Sequence, residues 1–163
     1  MSNQSIEKDL YHRSPYLLID EVSDCDETKV VAKIELCHDE FFFRGHFPNA
    51  PILPGALMQE MTTQAAGVMI ARFYNPMGDD YDTNNFDPER PALGVLSRVR
   101  DSKFLSFARP GDQLTIEVSL VESLKDFFEF QGSIKKETSQ GSKTIMKNRF
   151  CLTNIPSSAL LSD

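Results

Sequence analysis

Tryptophan is absent from this 163-residue chain, and no apolar stretch in it approaches the roughly 20 residues that a bilayer-spanning helix needs. The N-terminal MSNQSIEKDLYHRSPY has no apolar h-region, so a secretory signal is not expected and the chain reads as cytoplasmic. Cysteine is scarce: Cys25, Cys37 and Cys151 are odd in number and share no C-x-x-C spacing. That argues against a disulfide framework or a zinc site and for free thiols in a reducing compartment. Basic residues are outnumbered, 17 Lys and Arg against 24 Asp and Glu, for a net charge of -7. A general nucleic-acid binder needs clustered cations to neutralise phosphate, so that class is disfavoured.

The remaining composition, 40% hydrophobic and 25% charged, suits one domain over residues 1–163 with a real core. Tyr16–Val22 and Thr28–Leu36 read as strands joined by the polar turn SDCDE, and Phe41–Phe43 as a short buried strand. From Gly55 to about Tyr74 the period becomes helical: Leu57, Met61, Ala65, Val68 and Met69 form one apolar stripe. Gly67 within it is expected to permit close packing. Asn75–Pro91 reads as a long polar surface loop. Asp80, Asp82 and Asn84 open with calcium-loop spacing, but Asn85 and Pro91 stand where that motif needs Gly and Glu. No metal is therefore expected there.

Strand character returns in Leu93–Val99, Phe104–Phe107, Leu114–Val121, Phe127–Ile134 and Thr144–Leu152. In Leu114–Leu120 apolar and polar residues alternate, the mark of a half-buried antiparallel strand. Thr153–Asp163 is expected as a flexible tail. The class is α+β, one long helix packed on an antiparallel sheet whose open edge invites a second subunit.

The richest stretch is GHFPNAPILPGALMQE, Gly45–Glu60. Pro48, Pro51 and Pro54 stiffen a loop that carries His46 at its mouth, and Glu60 follows on or beside the apolar stripe. Taken singly, each has a bland reading, His46 as a structural loop residue and Glu60 as a solvated helix edge. Together they suggest chemistry. A buried carboxyl keeps its proton by raising its pKa, and a nearby imidazole supplies the complementary base. Gln64, one turn on, is placed to bond Glu60. Gly55 opens the helix, where backbone N–H groups lack partners and can stabilise a developing oxyanion. Arg98, Arg100, Lys103 and Arg109 form a basic cluster, either a solvated strand face or a docking patch for an acidic partner.

FFFRGHFPNAPILPGALMQEMTTQAAG closely resembles the signature of the β-hydroxyacyl-acyl-carrier-protein dehydratases of the FabZ/FabA type: Gly45, His46, Phe47, Pro48, Pro51, Pro54, Gly55, Glu60 and Gln64 all fall at the family spacing. HRSPYLLIDEV and FARPGDQL extend the likeness over most of residues 11–152. The Glu at position 60 is similar to FabZ rather than FabA, which carries Asp and also isomerises. The resemblance implies the hot-dog fold, one long helix wrapped by a curved antiparallel sheet. It implies a homodimer, in some relatives a trimer of dimers, with His46 of one subunit facing Glu60 of the other.

The implied reaction is dehydration of a (3R)-hydroxyacyl thioester to the trans-2-enoyl thioester. His46 is the base, Glu60 the acid, Gly55 the carbonyl holder and Gln64 the orienter of Glu60, with the Ile52 carbonyl as partner for the imidazole. No metal or redox cofactor is implied. Phe47, Ile52, Leu57, Met61 and Leu96 are candidates to contact the acyl substrate, and the basic cluster becomes a site for the acidic acyl carrier protein. Two features depart from the family: the long acidic 75–91 loop, and Thr62 and Thr63 on the helix. A hot-dog thioesterase, a non-catalytic acyl-binding subunit, and a dehydratase of a polyketide, aryl-polyene or other specialised pathway are the alternatives.

Overall fold

The computed structural model describes residues 6–161. Strands β1 (Glu21–Cys25) and β2 (Lys29–Glu35) precede the helix α1 (Gly55–Phe73); β3 (Pro91–Phe104), β4 (Gln113–Leu124), β5 (Phe127–Thr138) and β6 (Gly141–Pro156) follow it. All six strands join one antiparallel sheet in the order β1-β2-β4-β5-β6-β3.

Local chemistry accounts for the turns. Between β1 and β2, the Asp26 carboxylate accepts from the Thr28 and Lys29 backbone N–H groups at 2.6 and 2.8 Å. Before β4, the Asp112 carboxylate accepts the Arg109 N–H at 2.7 Å, and Gly111 takes φ +87°, a conformation that favours glycine. Along β4 the expected alternation holds: Leu114, Ile116 and Val118 are buried while Thr115, Glu117 and Ser119 are not.

Helix α1 is not merely striped. Met61, Ala65, Val68 and Met69 are fully buried as their spacing predicts, yet every residue from Met61 to Ala71 is buried. The sheet covers one side, and an N-terminal segment contributing Ile6, Leu10, Leu18 and Ile19 to the core covers another. Close approach is possible because Gly67 faces Leu10: a Cβ there would lie 3.0 Å from the leucine side chain. The polar residues of the helix are satisfied inside. The Gln59 side-chain oxygen accepts from Asn148 at 2.8 Å and Ser102 at 3.0 Å, while Asn148 also donates to Thr62 at 2.8 Å. The threonines that set this helix apart are thus part of a network tying α1 to β3 and β6.

Some expected boundaries change. Tyr16–Asp20 is not strand, because its backbone pairs with the helix: Gln64 accepts the Leu18 N–H at 2.8 Å and donates to the Tyr16 carbonyl at 2.8 Å. Phe41–Phe43 is a turn closed by the Phe43 N–H on the Glu40 carbonyl, burying Phe42 and Phe43 and leaving Phe41 exposed. The runs Leu93–Val99 and Phe104–Phe107 share one strand that ends at Phe104. The stretch from Thr153, expected as a flexible tail, continues β6 through Pro156 and then a 3-10 turn at Ser157–Leu160, with the Ser157 N–H on the Arg90 carbonyl. Among the described residues no helix is long and apolar enough to cross a membrane.

Phe128, Phe130 and Phe150 stack in the core at centroid separations of 6.4 and 5.7 Å, and Phe130 is fully buried. Phe130→Ala should therefore cost about 3–5 kcal/mol, read as a lower urea midpoint at unchanged m-value.

Candidate active site

The proline loop is held by its own backbone. The Ile52 N–H donates to the His46 carbonyl at 2.9 Å, and the Leu53 N–H reaches the Ala108 carbonyl at 2.9 Å, tying the loop to the segment after β3. The His46–Phe47 peptide is cis. His46 Nδ1 lies 3.0 Å from the Ile52 carbonyl oxygen. A carbonyl only accepts, so Nδ1 carries the proton and Nε2 keeps a free lone pair.

His46 opens onto a cavity of about 410 Å³ whose walls include Phe47, Ile52, Gly55, Phe104 and Phe107. Pro54 supplies the last carbonyl before the helix, accepting from Leu57 and Met58. The Gly55 N–H, at the first helical position, has no intrahelical acceptor. A Cβ on Gly55 would meet the Phe104 ring at 3.0–3.2 Å, so glycine lets that ring lie over the helix start.

Glu60 faces elsewhere. Its side chain is 15% exposed, and burial raises its pKa above the ordinary carboxylate value, opposed by a hydrogen bond from Gln64. That bond runs from Gln64 Nε2 to Glu60 Oε1 at 3.0 Å. Gln64 spends its remaining groups on Leu18 and Tyr16, so its orientation is set by the N-terminal segment. Glu60 lines a second, largely apolar cavity of about 340 Å³ with His12, Thr63, Phe86, Leu96 and Leu160.

Within one chain, then, the residues expected to act together line different cavities. Phe47 and Ile52 fall with His46, and Leu96 with Glu60. Met61 is withdrawn fully into the core and Leu57 packs against it, so neither is on those walls as expected of substrate contacts. The reason is that α1 is wrapped on nearly all sides, leaving its two ends and Glu60 as its open parts.

The basic cluster also divides. Arg100 Nε is 2.7 Å from Oε1 of the nearly buried Glu129, which Arg149 meets at the same distance. Its charge is thereby committed within the sheet. Lys103 faces Asp101 at 3.6 Å. Arg98 is exposed with no ion pair among the described residues, and the Arg109 guanidinium lies 5.8 Å from the Phe107 ring centroid.

Sequence reasoning did not single out His12, Phe86 or Leu160. The long 75–91 loop, expected as a solvated surface, is pinned to the N-terminal segment. Thr83 donates to the Glu7 carbonyl, Tyr81 to the Asp9 carbonyl at 2.9 Å, and Arg13 to the Thr83 carbonyl at 3.0 Å. That anchoring brings Phe86 to the Glu60 cavity. The Asp82 carboxylate accepts from Asn84 and Asn85 within the loop itself. Only the HRSPY motif hinted at His12, and nothing local says that it meets the helix.

A family model described as ApeI-like, ApeI dehydratase, matches residues 22–142. A 3-hydroxyacyl-[acyl-carrier-protein] dehydratase FabZ of Thermoanaerobacter sp. (strain X514) is 36% identical over 126 residues, covering 77% of this chain and 79% of that protein. FabZ of Coxiella burnetii (strain RSA 331 / Henzerling II) is 34% identical over 133 residues, covering 81% and 87%. Among solved structures, the dehydratase heterocomplex ApeI:P from Xenorhabdus doucetiae aligns with a TM-score of 0.70 at 18% identity, covering 97% of each chain. A hypothetical thioesterase protein with coenzyme A from Streptococcus pneumoniae TIGR4 aligns with a TM-score of 0.56 at 15% identity, covering 83% of this chain and 85% of that one. Those two likenesses concern the fold alone, and with it the helix wrapped by a six-stranded antiparallel sheet is a hot dog. With the matched model and the sequence relatives, the chain belongs to the ApeI-like, FabZ-like family of hot-dog dehydratases.

Proposed function

We propose that the protein converts (3R)-hydroxyacyl thioesters of acyl carrier protein to trans-2-enoyl thioesters, at sites built jointly by two copies of the chain. The observation that carries this is the presence of an oriented imidazole at one cavity and, at another, a partly buried carboxyl whose pKa burial raises.

His46 Nε2 takes the C2 proton, and the C–H electrons move into the thioester carbonyl as an enolate. The Gly55 N–H, aided by the helix dipole, receives the developing oxyanion. The enolate then forms the C2–C3 double bond as the C3–O bond breaks, and Glu60 gives its proton to the departing hydroxyl, which leaves as water. His46 ends protonated and Glu60 ionised, so one net proton passes back between them before the next turnover. Gln64 holds Glu60 in place throughout.

A second copy brings the halves together. β3 is an edge strand of 14 residues, with Leu96, Val99 and Phe104 exposed at 39%, 45% and 52%. An open, apolar edge of that length pairs readily with another strand. Pairing across β3 joins the cavity of His46 to the Glu60 cavity of the partner. Arg98 and Arg109, with no ion pair among the described residues, remain available to meet the acidic carrier protein, whereas Arg100 and Lys103 are engaged within the chain.

Activity should depend on pH, falling on the alkaline side as Glu60 loses its proton. Because burial raises the Glu60 pKa, the upper limb should lie above the ordinary carboxylate range. A profile flat between about pH 5 and 9 would count against the pairing.

The deciding experiment is interconversion of 3-hydroxyacyl and trans-2-enoyl thioesters by purified protein, followed by enone absorbance. Equilibration is expected. An inert protein across chain lengths, carrier-bound substrate included, would overturn the reading; release of free thiol would point to hydrolysis.

A further inference from the structure

Glu60 needs more than burial to serve as an acid. It must present one oxygen, with its proton, to the leaving hydroxyl. The surroundings of its two oxygens are unequal. Gln64 Nε2 donates to Oε1 at 3.0 Å, and His12 Nε2 faces that same Oε1 at 3.5 Å. Among the described residues Oε2 accepts no hydrogen bond. His12 is itself held in place, stacked on the Tyr16 ring at a centroid distance of 6.0 Å and an interplanar angle of 25°. Its Nδ1 is buried and has no hydrogen-bond partner among the described residues. Putting the imidazole proton on Nε2 leaves Nδ1 as a bare lone pair rather than an orphaned donor, and aims Nε2–H at Glu60.

We infer that His12 is a positioning residue for Glu60, holding Oε1 together with Gln64 so that Oε2 carries the transferable proton into the cavity. This role rests on the reading of Glu60 as the acid. The contact at 3.5 Å is longer than a hydrogen bond and shortens as substrate closes the site, as catalytic contacts in unliganded enzymes commonly do.

The electrostatic setting agrees. Burial and the neighbouring Arg13 cation both lower the His12 pKa, which keeps the ring neutral. A cationic ring would pull the Glu60 pKa down and discharge the acid; a neutral donor orients it with a smaller effect. The other groups facing this pair add little opposing charge. From the N-terminal segment come Tyr11, whose pKa burial raises, Tyr16, and Arg13, the last bound to the Leu10, His12 and Thr83 carbonyls. Asp9 is paired with Arg72 at 2.7 Å. From the 75–91 loop comes Tyr81, whose pKa burial pushes up and whose hydroxyl bonds the Asp9 carbonyl. From β3 come only Ala92, Leu93, Gly94, Val95 and Leu96, and from α1 the uncharged Thr63 and Gln64.

The test compares three substitutions. His12→Phe keeps a ring on Tyr16 and removes both nitrogens. His12→Gln places an N–H near the position of Nε2. His12→Asn places its amide near Nδ1, short of Glu60. Loss of the donor to the charged form should raise the Glu60 pKa, so His12→Phe and His12→Asn should move the upper pH limb upward and lower kcat about tenfold at little change in KM. His12→Gln should recover most of both. Should His12→Phe fail to fold, the Asn and Gln variants give the same contrast.

Carboxyl carbon-13 NMR titration of Glu60, assigned through Glu60→Gln, reads the same shift without turnover. An inert wild type whose Glu60 titration still moves with His12 would sink the dehydratase reading but keep the contact. A fully active wild type whose pH limb and Glu60 titration ignore His12→Phe and His12→Asn would overturn the positioning role. Equal loss in all three variants would make His12 structural only.

Discussion

Replacing His46 by alanine should lower kcat for dehydration by about 10²–10⁴-fold while leaving KM nearly unchanged. The hydrogen bond of Nδ1 to the Ile52 carbonyl leaves Nε2 as the free base, and no other imidazole lines that cavity. Binding of the acyl thioester depends on apolar walls such as Phe47 and Phe104, which alanine at position 46 does not remove. Glu60→Gln should fall in the same range, because the amide keeps the shape and the Gln64 contact but has no acidic proton. The double substitution should cost about as much as either alone, since turnover needs base and acid together and effects of residues acting as a unit are not additive. Enone absorbance under saturating substrate checks all three. A His46→Ala variant within a few-fold of wild type would leave the proline loop as scaffold only.

Mixing the two inactive variants should restore activity. If each site takes His46 from one copy and Glu60 from the partner, a mixed dimer holds one site with both groups intact and one with neither. Random reassembly makes about half of the dimers mixed, each with one working site of two, so recovery should approach about a quarter of wild-type activity. The separate cavities of His46 and Glu60 within one chain motivate this expectation. Unmixed samples, each remaining inactive, provide the baseline. No recovery after reassembly, with mixed dimers confirmed by mass, would place both groups in one subunit. Recovery at near the full wild-type level would be equally inconsistent with shared sites.

Much of this architecture was legible in short-range pattern. The alternation of Leu114, Ile116 and Val118 specifies a half-buried strand because side chains on a strand alternate faces. The proline loop followed by an apolar helical period located α1 within a residue at its start, because proline cannot continue a preceding helix but suits the position before a new one. The spacing of His46, Gly55, Glu60 and Gln64 marked the candidate site, and the structure shows the Nδ1–Ile52 and Gln64–Glu60 contacts that the motif implied.

What sequence pattern did not reveal lies in contacts between distant segments. Tyr16–Asp20 has apolar strand character, yet it runs along α1 because Gln64, more than forty residues away, satisfies its backbone. Arg100 read as part of a solvated strand face or a docking patch, yet it meets the Glu129 carboxylate that Arg149 also meets. His12 looked like one residue of a polar N-terminus and instead meets Glu60.

By itself, then, the sequence determined one long helix among antiparallel strands, the stiffened histidine loop and the acid one turn into the helix. Those follow from side-chain period, proline geometry and fixed local spacing. Only the tertiary structure decided that α1 is enclosed on nearly all sides, that Met61 belongs to the core, and that His12 and Phe86 share a cavity with Glu60. Such pairings are set by how the sheet curls and where the chain returns, and no local propensity encodes the meeting of residues many positions apart.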